Sequence, residues 1–140
     1  MTVVVDTDAL WPALSARHRF KAIIRAWAAG RFAWAMNIAI LLEYEEILVP
    51  RLGAERWREF VELLDTIGEL RGNVRHIEPS FHFHLIAADP DDDKFADCAS
   101  AAGADWIVTE DTHFDALRGS GHKPQLIAPG EFIARFLSAA

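Results

Sequence analysis

The sequence predicts an α/β fold, a three-layer α/β/α sandwich around a central, mainly parallel sheet of four to five strands, with residues 1–140 forming a single domain. Three observations carry this expectation. Short apolar runs, several rich in β-branched residues, recur along the chain. Stretches with apolar residues at helical spacing separate them, so neighbouring strands are joined by crossovers. The length, 140 residues of which 51% are hydrophobic, suits one buried core without covalent staples.

Thr2 to Val5 is a β-branched run that stops at Asp6, as expected of a strand buried on both faces with a carboxylate at its C-terminal end. From Leu10 to Ala29 the spacing of Leu10, Leu14, Phe20, Ile23, Ile24 and Trp27 predicts helix in two pieces, stopped by Gly30. Phe32 to Met36 reads as a second strand. Asn37 can cap the helix that follows, Ile38 to Leu48, which contains Glu43 and is expected to end because of Pro50. Ala54 to Ile67 is amphipathic, with Trp57, Phe60, Val61, Leu64 and Ile67 three or four residues apart.

Val74 to Ile77 reads as a third strand, and Phe81, Phe83 and Leu85 alternate with His82, His84 and Ile86 as in a half-exposed extended segment. A helix is expected to start near Pro90, bury Phe95, Ala96, Ala99 and Ala102, and stop at Gly103. Trp106 to Val108 predicts another buried strand, ending in Thr109-Glu110-Asp111. A small helix from Phe114 to Leu117, a strand from Gln125 to Ile127 and a helix from Pro129 to Leu137 complete the chain.

Composition excludes several classes. Fourteen Lys and Arg against 21 Asp and Glu give a formal charge of −7, which argues against holding nucleic acid through a general positive field. One cysteine, Cys98, cannot close an intrachain disulfide, and the N-terminus lacks the pattern of an export signal, so a reduced, cytoplasmic protein is expected. Apolar stretches such as Ile38 to Leu42 fall far short of the roughly 20 residues a bilayer requires, so no membrane span is expected.

In open α/β sheets ligands bind beyond the carboxyl ends of the strands. Asp6 and Asp111 fall at that edge, Asp92 lies in the first turn of a helix starting there, and Glu43 can join them from its helix. Two like unit charges 4 Å apart repel by ~4 kcal/mol at an effective dielectric of 20. Convergence therefore demands cations or protons, and hard oxygen donors suit Mg²⁺ or Mn²⁺ and phosphodiester hydrolysis. Each acid also has an ordinary reading. Asp89 to Asp93 can be a helix N-terminus, Glu43, Glu45 and Glu46 a solvated helix face, and Asp6-Thr7-Asp8 a turn.

Val3-Val4-Val5-Asp6-Thr7, Leu41-Leu42-Glu43-Tyr44 with Leu48, Asp89-Pro90-Asp91-Asp92-Asp93-Lys94-Phe95 and Ala104-Asp105-Trp106-Ile107-Val108-Thr109-Glu110-Asp111 together resemble the four acidic segments of the PIN domain family. Ile127-Ala128-Pro129 and Phe132 resemble its closing strand and final helix. Within the family the chain is most similar to the VapC-like toxin branch. The resemblance implies a Mg²⁺- or Mn²⁺-dependent endoribonuclease, the toxin of a toxin–antitoxin pair. Its partners would be RNA, an antitoxin protein and a second copy of the chain in a dimer. Metal-binding and catalytic roles would then fall to Asp6, Glu43, Asp92 and Asp111.

Thr7, Asp93, Thr109 and His113 are candidate accessory residues. Arg17, Arg19, Lys21 and Arg25 form either a local basic face for RNA or a solvated helix surface. Three features depart from the family pattern: Asp8 stands where Asn is frequent, Asn37 where Ser or Thr is frequent, and Glu110 and His113 flank the fourth acid. They keep open a catalytically inactive PIN-like module that binds RNA or protein. A phospho-acceptor receiver domain is disfavoured, since adjacent acids are expected after its first strand. His82 and His84 share a strand face but lack partners for a tetrahedral zinc set. Cys98 reads as a small core residue, and Trp11, near the first acid, as a candidate base contact.

Overall fold

The computed structural model of the chain describes residues 1–15, 17–78, 94–111 and 124–137. Five strands, β1 (Thr2–Val5), β2 (Ala33–Met36), β3 (Val74–His76), β4 (Trp106–Val108) and β5 (Gln125–Ile127), form one sheet in the order β3-β2-β1-β4-β5. Every pairing is parallel. β1 is central, with Val3 beside Trp34 on one side and Trp106 on the other. Its Val3, Val4 and Val5 are wholly buried, as a β-branched run between two sheet faces requires.

The strands alternate with α1 (Thr7–Ala13), α2 (Lys21–Ala28), α3 (Ile38–Leu52), α4 (Ala54–Arg71) and α5 (Lys94–Ala102). After β5 come α6 (Pro129–Phe132) and a π-helical turn, Ile133–Leu137. Adjacent residues of β3 show the layering. Val74 lies against Gly68 of α4, whereas the Arg75 guanidinium donates to the Ala102 carbonyl of α5 at 2.9 Å. Successive side chains of a strand point to opposite faces, so α4 and α5 cover opposite sides of the sheet.

Aromatic rings fill one side of the core. Trp34 meets Trp27 edge-on, with centroids 5.4 Å apart, and also contacts Phe60 and Tyr44. Buried Asn73 clamps the start of β3 to α2. Its side-chain Nδ2 donates to the Trp27 carbonyl at 2.7 Å, and its main-chain carbonyl accepts the Trp27 indole N–H at 3.3 Å.

Several boundaries differ from the sequence expectation. α3 continues through Pro50 to Leu52. Pro50 removes only the N–H that would reach back to the Glu46 carbonyl, and both residues are exposed, so water can serve that carbonyl. The true stop is Gly53, whose φ of 94° is closed to most side chains. α4 extends past Ile67 to Arg71. The final helix changes from α to π at Ile133, where Arg31 takes the late carbonyls of Phe136 and Leu137 at 2.9 and 3.0 Å. The expected extended run from Phe81 to Ile86, the helix start near Pro90 and the small helix from Phe114 to Leu117 lie outside the described residues.

Candidate active site at the carboxyl edge of the sheet

From β1 the chain builds outward through β2 to β3, then returns to the other side of β1 as β4 and β5. Strand order thus reverses between β1 and β4, and the crevice beyond their carboxyl ends is the topological switch point at which α/β sheets bind ligands. Asp6 follows β1 and Thr109 to Asp111 follow β4. The Asp6 amide is fastened to the Val108 carbonyl at 2.9 Å.

Asp6 occupies the N-cap position of α1, yet its carboxylate does not cap the helix. Its Oδ2 instead lies 2.8 Å from the hydroxyl of Thr109, a fully buried residue. Thr109 Oγ1 accepts the Asp111 amide at 3.0 Å, so its single proton is left to donate. Asp6 is the best acceptor, because Asp8 is 3.3 to 3.4 Å away and the Asp111 carbonyl 3.5 Å. Asp8 Oδ1 is engaged by the Glu110 amide at 3.0 Å. The segment after β4 is therefore shaped by the two acids that follow β1.

Glu43 sits in the second turn of α3 and reaches the same edge through Thr7. The buried Thr7 hydroxyl donates to Glu43 Oε2 at 2.6 Å, within the range of a charge-assisted bond. Its Oε1 meets the Lys94 ammonium at 3.2 Å, at the first residue of α5. α3 is itself anchored by Asn37, whose Oδ1 accepts the Ile40 amide at 2.9 Å. The neighbouring Tyr44 is wholly buried and donates its hydroxyl to the Val5 carbonyl. Burial holds its phenol well above the usual value, with the nearby Asp6 and Glu43 charges acting in the same direction. The dipole of the Trp34 indole opposes burial by more than either charge adds to it, although that buried N–H makes no hydrogen bond of normal geometry.

Of the expected site residues, Asp6 and Thr109 are joined, as are Thr7 and Glu43, and Asp111 is tied to Thr109 through its backbone. Asp92, Asp93 and His113 lie outside the described residues, as do His82 and His84. Arg17, Arg19 and Arg25 are exposed and Lys21 is half-buried. Arg19 stacks on Phe20 at 5.1 Å and lies against Gly130 of α6. Trp11 is 39% exposed with the Arg51 guanidinium over its ring at 5.2 Å. Cys98 is buried, as expected of a core residue, and burial pushes its thiol up to about 11.

Tyr44 and Lys94 did not stand out in the sequence as site residues, and Asp8 was marked only as a departure from the family pattern. Lys94 had a usable signal, as the one cation closing the acidic run Asp89 to Asp93. Tyr44 had none beyond its adjacency to Glu43.

Among the described residues, no three Asp, Glu, His or Cys side chains converge into a complete cation site. The donors present at this edge are nevertheless all hard oxygens: the carboxylates of Asp6, Asp8, Glu43 and Asp111 and two threonine hydroxyls. That chemistry fits Mg²⁺ or Mn²⁺ rather than a thiolate-seeking metal.

The architecture is that of an α/β protein with an acidic switch-point crevice. The sequence profile of the PIN domain matches residues 2–113, and the chain belongs to the PIN domain family. Members of this family are generally nucleases that use divalent metals. No curated protein and no solved structure matched the chain in the corresponding comparisons. Among the described residues, no helix is long and apolar enough to cross a membrane.

Proposed function

We propose that the protein is a Mg²⁺- or Mn²⁺-dependent endoribonuclease acting as the toxin of a toxin–antitoxin pair, with residues 1–140 as one catalytic domain working in the cytoplasm. The observation that supports this best is the pairing of Asp6 with Thr109 across the β1–β4 switch point, beside Glu43 held by Thr7. Asp6, Glu43, Asp92 and Asp111 would hold the metal. When bound, it supplies Lewis-acid stabilisation of phosphate charge and a lowered pKa for water. Thr109 and Thr7 each direct a carboxylate by donating to one of its oxygens. Lys94 offsets charge at Glu43, and Asp111 is exposed after β4.

Arg17, Arg19, Lys21 and Arg25 are proposed to track the RNA backbone, which a steep fall of binding with added salt would support. An antitoxin and a second copy of the chain complete the proposed partners. Cleavage of a mixed RNA pool with Mn²⁺ or Mg²⁺ tests the reading, comparing native protein, chelated protein and Asp6→Asn. Metal-dependent cutting that disappears in the folded variant is the expected result, and undiminished cutting by Asp6→Asn refutes the assignment.

One observation favours a second reading, a catalytically silent module that binds RNA or protein. The Lys94 ammonium already supplies a positive charge to Glu43, as an internal substitute for a cation would. Metal-dependent cleavage abolished by a chelator excludes that reading.

A further inference from the structure

We propose that Tyr44 is a positioning residue for the acidic site, its hydroxyl setting the peptide that carries Asp6 against the helical turn that carries Glu43. This rests on the reading of Asp6 and Glu43 as metal ligands. The residues of β1 alternate in the direction of their backbone groups. The Asp6 amide points to β4, where it meets the Val108 carbonyl, so the Val5 carbonyl points to the β2 side. There the ladder has ended: the last registered pair of β1 and β2 is Val3 with Trp34, and β2 gives way to the Asn37 cap of α3. Tyr44 reaches back from α3 and supplies the missing donor. The Val5–Asp6 peptide is thereby held from both sides, by Val108 of β4 and by Tyr44.

The same side chain also aligns the third element of the site. Its ring packs 6.1 Å from that of Phe95, and the residue before Phe95 is Lys94, which meets Glu43 at 3.2 Å. On its other side it packs 6.3 Å from Trp34 of β2. Tyr44 thus touches β1, β2 and α5 from a position next to Glu43 on α3. Replacing it with Phe keeps these ring contacts and removes only the fastening of the Asp6 peptide.

Loss of a partner outside the ligand set typically costs 10–100-fold in metal affinity. Tyr44→Phe is therefore expected to weaken Mn²⁺ binding, measured by titration calorimetry, by roughly 10-fold or more. In metal-free protein, amide exchange at Asp6 should accelerate. Phe132→Leu serves as the control for general destabilisation, and it should leave Mn²⁺ affinity within about twofold at a temperature where both variants are folded, because the buried Phe132 ring packs on Phe32 just before β2, at the edge of the sheet opposite the site. Equal Mn²⁺ affinity in Tyr44→Phe and native protein would overturn the proposal, as would an equal loss in both variants. Asp6→Asn keeps the two levels of inference distinguishable. Binding by native protein that Asp6→Asn abolishes supports the metal-site reading whatever Tyr44→Phe does, whereas native protein that binds no Mn²⁺ overturns that reading and the positioning role with it.

Discussion

Thr7→Val should destabilise the metal-free protein by about 1–2 kcal/mol, and by more than removal of the Lys94 charge. A hydrogen bond to a charged group contributes about 1.5–3 kcal/mol. Here the 2.6 Å bond from Thr7 ends on a carboxylate whose side chain is 26% exposed and also touches Lys94, so water and the ammonium compensate for part of the loss. A value around or somewhat below the low end of that range follows, hence about 1–2 kcal/mol. The Lys94–Glu43 pair is weaker because the lysine side chain is 40% exposed, and such pairs contribute about 0.2–1 kcal/mol. Urea unfolding measures both. With a slope of about 2 kcal/mol per molar urea, the middle of the range for small proteins, the Thr7→Val midpoint should fall by about 0.5–1 M. A double-mutant cycle with Glu43→Gln isolates the pair, and a coupling of about 1–2 kcal/mol is expected. Coupling below about 0.3 kcal/mol, the scatter for independent sites, would refute the claim that Thr7 holds Glu43. A larger coupling for Lys94→Met would refute the ranking of the two contacts.

Three further predictions concern the scaffold. Asn37→Ala should cost about 1 kcal/mol in urea unfolding by freeing the Ile40 amide, and an unchanged midpoint would show that the cap contributes nothing. Cys98 has a folded value of about 11 against an ordinary 9.0, because burial outweighs the opposing attraction of Arg75. A value raised by folding means that the folded state retains the proton, so this contribution to stability is complete below pH 9 and is lost as pH rises toward 11. Urea midpoints should therefore fall between these limits, and Cys98→Ala should flatten the fall. Alkylation of the native thiol at pH 8 should be about 100-fold slower than in denatured protein, and equal rates would contradict its burial.

The parallel sheet was legible because its signal is local. Val3, Val4 and Val5 announce a strand buried on both faces, and the helical spacing of Trp57, Phe60 and Leu64 announces a covering helix. Asp6 and Asp111 could be placed at the switch point for the same reason, as the first directly follows β1 and the second comes three residues after the end of β4. Pro50 misled because its cost depends on whether the orphaned carbonyl meets water, which is a property of the folded surface. The π turn after Phe132 was invisible to a 3.6-residue period and depends on Arg31, more than a hundred residues earlier. Thr7 and Thr109 were marked as accessory residues, but which acid each would hold could not be read. Tyr44 looked like any aromatic on a buried helix face, because nothing local indicates that its hydroxyl ends on Val5.

The bond between Thr109 and Asp6 joins residues 103 positions apart, and the central strand finds its β4 neighbour only at that distance. During synthesis, then, Asp6 waits without its partner until about a hundred further residues have been translated. At about 5–20 residues per second this interval lasts about 5–20 seconds. β1, β2 and β3 can assemble in that time, but β1 then presents an open edge where β4 will later dock. A ribosome-bound fragment ending before Trp106 would carry the first acids without their crevice, and its unpaired flank would be a site for chaperone capture or mispairing.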